Sequence, residues 1–358
     1  MLSGFATAVG SSRFAARFPK ALANGFYRPL DLWTASSLGV GTYLGDLGEQ
    51  TDVGYYGSIL AAFSSGVNLI DTAINYRHQR SEVVCGSAIR KALRDGTISR
   101  DELIVCTKAG YLTPGAIPEG GPGASEIIRD QHCMHPAFLE DQVMRSRENL
   151  GLETIDVHYL HNPETQLAEI SRPEFLRRIQ AAFQMQEQLC ARGWIQAYGV
   201  ATWDGFRRRD ALTHGLQLAE FVEIAHALAG DPHHFRFVQL PFNLAMTEAA
   251  CLPNQQVQGA QHTLLEAAQA LGIQVVGSAP LLQARLTRSL PEALHNLVPE
   301  AHTDAQCALQ FARSAPGITT TLVGMSSPQH VSENLQLADY APFDAQRFQS
   351  LLPPKAGA

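Results

Sequence analysis

The sequence has no Cys-x-x-Cys pair, no block of lysine and arginine, and no apolar run near the roughly 20 residues needed to span a bilayer. Its six cysteines are scattered at 85, 106, 133, 190, 251 and 307 through 358 residues. In a chain this long, that usage argues against a disulfide framework and a paired-cysteine zinc site, and it fits reduced thiols in a cytoplasmic protein. Charge is also sparse: 17% of residues are charged and the formal net charge is -7. With no basic cluster, neither a nucleic-acid nor a membrane surface is expected, which leaves a small-molecule partner. No acidic residue precedes Asp31, while arginines stand at 13, 17 and 28. Organelle transit peptides share that pattern, but these arginines fall on no clean amphipathic face. Residues 1–30 are therefore expected to be a short extension ahead of the folded domain.

What the sequence does have is apolar content, 45%, enough for a large core. Short β-rich runs recur at fairly regular intervals, at 36–41, 67–73, 103–108, 154–161, 195–202, 235–242, 273–280 and 319–325. Most read as buried on both faces, as parallel strands are. Helical patterns follow at 53–65, 81–94, 136–150, 173–192, 216–228, 261–271, 303–314 and 328–338. Pro173 and Pro328 suit a first helical turn, Ser81 and Ser327 suit N-caps, and Gly151, Gly193 and Gly272 sit where helices stop. Eight alternating units predict a (β/α)8 TIM barrel, an α/β fold in a single domain. The expected division is an extension at 1–30, a barrel at 31–345 and a tail at 346–358. A doubly wound sheet would need Gly-x-Gly-x-x-Gly after its first strand, and Leu44 stands where the third glycine belongs. Long loops at 109–135, 203–215, 243–259 and 282–302 are expected on the C-terminal face, where barrels build their sites.

The expected strand ends carry the chemistry. Strand two ends in Asp71 with Tyr76 just beyond it, strand three ends in Lys108, and strand four ends in His161. Each has a plainer reading. Asp71 and Lys108 make sense as a structural ion pair, His161 as a core histidine, and Tyr76 as a loop anchor. The case rests on all four lying at one rim. Carbonyl reduction needs a hydride on carbon and a proton on oxygen. A tyrosine of ordinary pKa near ~10 donates poorly until an ammonium favours its phenolate. A carboxylate then holds the ammonium, and a histidine orients the carbonyl oxygen.

These residues also resemble a known family. Asp71-Thr72-Ala73-x-x-Tyr76 with Ser81-Glu82-x-x-x-Gly86, then Thr107-Lys108, then Asn149 through Pro163, are similar to blocks of the aldo-keto reductases. Gly39-x-Gly41-Thr42 resembles that family's first strand. The resemblance runs from about Tyr27 to Asn334. It implies Tyr76 as general acid/base, Lys108 as its pKa modulator, Asp71 as the lysine's partner and His161 as the orienting donor. It implies a nicotinamide cofactor near Gly41, Thr42, Thr202, Gln239, Ser278, Pro280, Leu281, Gly324, Ser327, His330, Glu333 and Asn334. The sequence departs from the family at three places. Ala201 replaces a hydroxyl residue, Ser278 replaces an aromatic one, and Met325 and His330 replace basic residues that clasp a 2′-phosphate. Arg285 or another loop residue is expected to supply that charge. Family habit places NADP(H) ahead of NAD(H).

Tyr43, Tyr111 and Trp203 are expected to face the substrate, a small carbonyl or alcohol, with Arg77 and His78 beside the tyrosine. Arg77 reads either as an attractor of anionic substrate or as a solvated side chain. His158 lies three residues before His161 and is expected to face the helix layer. His132, Cys133 and His135 lack a fourth ligand, so no metal is expected. Two other functions fit parts of the pattern. One is a nucleotide-binding barrel that senses or assembles and turns over little. The other is a metal-dependent hydrolase, for which only His161 and Asp71 are well placed.

Overall fold

A computed structural model describes residues 1–114, 116, 121–299 and 301–352. Parts of the long loop after the third strand, and the last six residues of the expected tail, lie outside them. Eight parallel strands close into a barrel. They are β1 (Leu38–Gly41), β2 (Leu69–Asp71), β3 (Ile104–Ala109), β4 (Ile155–His161), β5 (Ile195–Ala201), β6 (Phe235–Pro241), β7 (Gln274–Ser278) and β8 (Ile318–Gly324). The principal helices after them are α1 (Glu49–Ser64), α2 (Arg80–Arg94), α3 (Pro136–Leu150), α4 (Arg172–Ala191), α5 (Leu218–Ala229), α6 (Leu264–Ala270), α7 (Asp304–Arg313) and α8 (Pro328–Leu335). Among the described residues, no helix is long and apolar enough to cross a membrane.

Strand periodicity divides the core in two. Leu69, Ile104, Cys106, Val157, Tyr159, Ala197, Phe237, Val276 and Leu322 fill the barrel interior. Their neighbours in sequence, such as Ile70, Val105, Leu160 and Val238, join the larger cluster packed under the helices. The period of two therefore sends Val157, Tyr159 and His161 inward and Asp156 and His158 outward. His158 Nδ1 meets Gln186 Oε1 of α4 at 2.6 Å, which places it in the helix layer as expected.

Residues 1–30 pack against the bottom of the barrel. Thr7 caps a helix at Ala8–Ala16, accepting from Gly10 N at 2.9 Å. Arg13 and Arg17 both bind the buried Glu102 carboxylate. A hairpin, Tyr27–Leu30 with Trp33–Ser36, then covers the N-terminal mouth. Trp33 stacks on Phe237 with centroids 6.0 Å apart, and its Nε1 donates to Ala6 O at 3.1 Å. At the other end, Phe348 of the helix Ala345–Ser350 stacks on Phe311 at 5.3 Å.

Several element ends differ from the sequence expectation. Helix α2 begins at Arg80, after a left-handed Gln79, so Ser81 lies inside the first turn and caps nothing. Its Oγ donates to Thr42 O at 2.9 Å instead. Helix α6 begins at Leu264 because Thr263 and Glu266 form a capping box, and Ala260–His262 pairs with Gln255–Val257 as a short ribbon. Ser327 does cap α8, accepting from His330 N, and the helix continues beyond Leu335 as a 3-10 turn.

Candidate active site

The barrel's parallel register brings the strand ends together. Gly41 pairs with Asp71, Lys108 with Tyr159, His161 with Ala201, and Ala201 with Gln239. Because Asp71, Lys108, His161 and Gln239 alternate inward on their strands, they converge at the C-terminal mouth. A cavity of about 990 Å³ opens above them. That is the upper end of the ~300–1,000 Å³ typical of small-molecule sites.

Lys108 is the buried centre of the group, 1% exposed. An ammonium has three donors. One bonds Asp71 Oδ1, and one reaches Thr72 O at 2.8 Å. Its charge also acts on the Tyr76 phenol, and Nζ lies 4.9 Å from the centre of that ring. Gln239 Nε2 donates to the other oxygen of Asp71 at 2.9 Å, so both carboxylate oxygens are held. Burial pulls the Lys108 pKa down, but Asp71 and Tyr76 more than reverse it, and the ammonium stays charged.

Tyr76 answers to two opposed influences. Burial pushes its hydroxyl pKa up and the Lys108 charge pulls it down, and burial wins. The sequence reading weighed only the lowering; in this structure the phenol keeps its proton more firmly than an exposed one. His161 is pushed well below the ordinary histidine range, first by burial and then by the Lys108 charge. It is therefore a neutral imidazole beside Tyr76, with ring centroids 5.8 Å apart.

Behind this group, Thr107 Oγ1 donates to Glu82 at 2.6 Å and Asn149 Nδ2 to the same carboxylate at 2.8 Å. The rim itself is tightly wound. Arg77, His78 and Gln79 all have left-handed backbones, with φ of 50°, 52° and 73°. Such conformations cost about 1 kcal/mol or more each and persist where surroundings enforce them. Here the enforcement comes from Arg77, whose side chain turns away from the cavity. It donates to Asp46 O and Gly48 O and pairs with Asp52 at 2.6 Å. With its side chain 2% exposed and paired with Asp52, Arg77 is not solvated, and that expectation is corrected. Across the mouth, Gly110 has φ of 149°, and a Cβ there would meet His161 O at 2.7 Å, so no side chain fits.

Of the residues singled out in the sequence, Gly41, Thr42, Tyr43, Asp71, Tyr76, Tyr111, His161, Thr202, Trp203, Gln239, Ser278, Pro280, Leu281, Gly324, His330, Glu333 and Asn334 line this one cavity. Lys108 lies beneath it. Ser327 does not line it, its hydroxyl accepting from His330 N as the helix cap, and Ser326 lines it instead. Tyr43 packs on Tyr76 at 5.0 Å and Tyr111 on His161 at 5.1 Å. His132, Cys133 and His135 have structural partners: His132 Nε2 meets His161 O at 2.7 Å, and Cys133 Sγ lies between Gly123 O and His135 N. No metal-binding group of three or more such residues occurs among the described residues.

Several residues escaped the sequence reading. Asn75 and Asn162 line the cavity, and Asn162 Nδ2 donates to Tyr111 at 3.0 Å. Each stands next to a tetrad residue in sequence, a signal that was available. Glu164 Oε1 accepts from Trp203 N at 2.7 Å and fixes that loop, and burial raises its pKa to about 7.

A nicotinamide nucleotide suits the groups present. Thr202 Oγ1, Asn75 Oδ1 and His161 Nδ1 are buried with no partner among the described residues, and all three belong to cavity-lining residues. Buried polar atoms need partners, and an amide-bearing ligand supplies them.

Comparison with known proteins finds relatives over parts of the chain. The chain is 29% identical over 192 residues to an NADH-specific methylglyoxal reductase of Escherichia coli, covering 51% of this chain and 53% of that protein. It is 31% identical over 170 residues to a D-threo-aldose 1-dehydrogenase of a Pseudomonas species, covering 45% and 46%. The chain thus spans about half the length of these two curated relatives. The structure of an aldo/keto reductase from Klebsiella pneumoniae, in complex with NADP and acetate, superposes with a TM-score of 0.62 at 20% identity, covering 90% of this chain and 92% of that one. It shares the fold. The model of the aldo/keto reductase family matches residues 37–352, and this chain belongs to that family.

Proposed function

We propose that this protein is a nicotinamide-dependent oxidoreductase that reduces an aldehyde or ketone to an alcohol, or runs the reverse, with Tyr76 as general acid/base. The observation that carries the reading is the Lys108 ammonium. It bonds Asp71 and the Thr72 carbonyl, and its charge lies against the Tyr76 phenol, with Nζ 4.9 Å from the ring centre. An ion pair serving stability alone has no need of a phenol beside it at the mouth of a cavity.

Gly41, Thr42, Thr202, Gln239, Ser278, Pro280, Leu281, Gly324, His330, Glu333 and Asn334 are the residues that would hold the cofactor. The cofactor, when bound, supplies or accepts the hydride. The chain supplies the rest. Tyr76 Oη gives its proton to the carbonyl oxygen, and Lys108 stabilises the phenolate left behind. Asp71 keeps the lysine charged and in place. The neutral His161 ring donates a hydrogen bond to the same oxygen without adding charge. A phenol whose pKa is raised enters the reaction protonated at neutral pH, as reduction requires. Tyr43, Tyr111 and Trp203 wall the substrate. All six cysteines are free, which fits a cytoplasmic setting.

The two relatives act on carbonyl or sugar substrates by their names, methylglyoxal and a D-threo-aldose, which supports a small polar carbonyl or alcohol here. The test is steady-state turnover of a panel of aldehydes, ketones and aldoses with each nicotinamide cofactor. We expect turnover that collapses in Tyr76→Phe. Turnover unaffected by that change would remove Tyr76 from the chemistry.

A further inference from the structure

We propose that this cavity selects NAD(H) over NADP(H), by the absence of cations from its wall. The proposal rests on the reading that a nicotinamide dinucleotide binds here, and it reverses the preference drawn from family habit.

Beyond the tetrad, the cavity is lined by Gly324, Ser326, His330, Glu333 and Asn334 from β8 to α8, and by Gln283, Ala284, Thr287 and Thr303 between β7 and α7. No lysine or arginine lines the cavity among the described residues. Its two carboxylates are Asp71, which is spent on Lys108, and Glu333. Glu333 Oε1 accepts from Gln329 Nε2 at 2.8 Å, a neutral partner that leaves the charge in place. Ser327 Oγ accepts from His330 N as the cap of α8, and the residue does not line the cavity. Met325 is fully buried and offers no donor.

The arginines nearest in sequence do not compensate. Arg285 and Arg288 are exposed on the loop after β7 and are not part of the wall. Three left-handed residues, Leu282, Gln283 and Ala284, set the path of that loop, with φ of 47°, 54° and 67°. Arg285 N donates back to Leu282 O at 3.2 Å and closes the turn.

The two cofactors differ by one group, a 2′-phosphate in place of a 2′-hydroxyl. A phosphate dianion is bound through charge-assisted donors, most effectively guanidinium. Taking it from water into a wall that holds a carboxylate and no cation is unfavourable twice over, through lost hydration and through repulsion. A ribose hydroxyl asks only for neutral or anionic acceptors. A carboxylate accepts its proton well, which is why acidic residues mark NAD sites and arginines mark NADP sites in unrelated folds.

The experiment titrates the full chain with NADH and with NADPH at fixed ionic strength, read by fluorescence and calorimetry. Adenosine 5′-monophosphate and adenosine 2′,5′-bisphosphate serve as probes of the adenine end alone. The expected result is NADH tighter than NADPH by at least about tenfold, and the monophosphate tighter than the bisphosphate. His330→Arg, at an exposed position, should raise NADPH affinity by about tenfold, with a gain that fades as salt rises and a smaller effect on NADH. Glu333→Gln should narrow the ratio from the other direction. NADPH binding as tightly as NADH in the unaltered protein overturns the proposal and leaves the oxidoreductase reading standing. Binding of neither cofactor overturns both.

Discussion

Replacing Lys108 with methionine tests whether the four residues at the mouth act as one unit. Methionine keeps the length of the side chain and removes its charge. Lys108 is 1% exposed and Asp71 is 3% exposed, so the orphaned carboxylate has little water to turn to. Breaking a buried pair on one side costs about 3–5 kcal/mol. Unfolding entropy of ~2.1 cal/mol/K per residue makes about 0.75 kcal/mol/K for a chain this size, so the midpoint should fall by about 4–7 °C. Adding Asp71→Asn removes the orphaned charge while Gln239 still has an oxygen to bond. The double variant should then recover about 2 kcal/mol relative to the sum of the single losses. A structural pair would behave the same way, so a second readout is needed. At Tyr76 the Lys108 charge opposes burial, and without it the phenol holds its proton more tightly. Reduction uses the protonated phenol, so activity is present below its pKa and lost above it. In Lys108→Met the alkaline limb should move to higher pH, while kcat falls about 100-fold because the phenolate product loses its counter-charge. Thermal melts and kcat–pH profiles on the single and double variants decide it. Additive losses with an unmoved alkaline limb would refute the reasoning.

Two further outcomes follow from buried groups away from the ion pair. Burial lowers His132 and His158 to about 4. Both are neutral in the folded chain, so their stabilisation is complete above the ordinary histidine pKa of ~6.5 and is lost as pH falls toward 4, by about 3 kcal/mol each. Melting temperature should drop steeply across that window and less steeply in His158→Gln; a flat profile contradicts it. Glu164 holds the backbone of Trp203, so Glu164→Ala should loosen that wall. KM should rise about tenfold with kcat little changed, the equivalent of one lost charge-assisted hydrogen bond. An unchanged KM would show that the loop is held by other contacts.

Much of the site could be read from the sequence because a parallel barrel converts position at a strand end into position in space. Asp71, Lys108 and His161 are far apart in the chain, yet each closes an inward-facing set with period two. The same periodicity separated His158 from His161. What escaped was set by turns and by competition for hydrogen bonds. Arg77 follows Tyr76 directly, but three successive left-handed residues swing its side chain beneath the loop at Asp46 and Gly48. Ser327 caps its helix by accepting from His330 N, and it is Ser326 that lines the cavity. Trp33 closes the base of the barrel by stacking on Phe237, a contact across some 200 residues that no local pattern announces. The direction of the Tyr76 shift was also hidden, because burial is a property of the folded wall and outweighs the neighbouring charge.

The most direct test of the central claim, that the residue 76 hydroxyl delivers the proton, is single-turnover hydride transfer by the pre-formed Tyr76→Phe complex with cofactor. Phenylalanine keeps the ring contacts with Tyr43 and His161 and removes one oxygen. The account predicts cofactor binding largely retained and a transfer rate lower by about 10²–10⁴-fold. Transfer at the unaltered rate, with binding intact, would mean that the proton comes from another group.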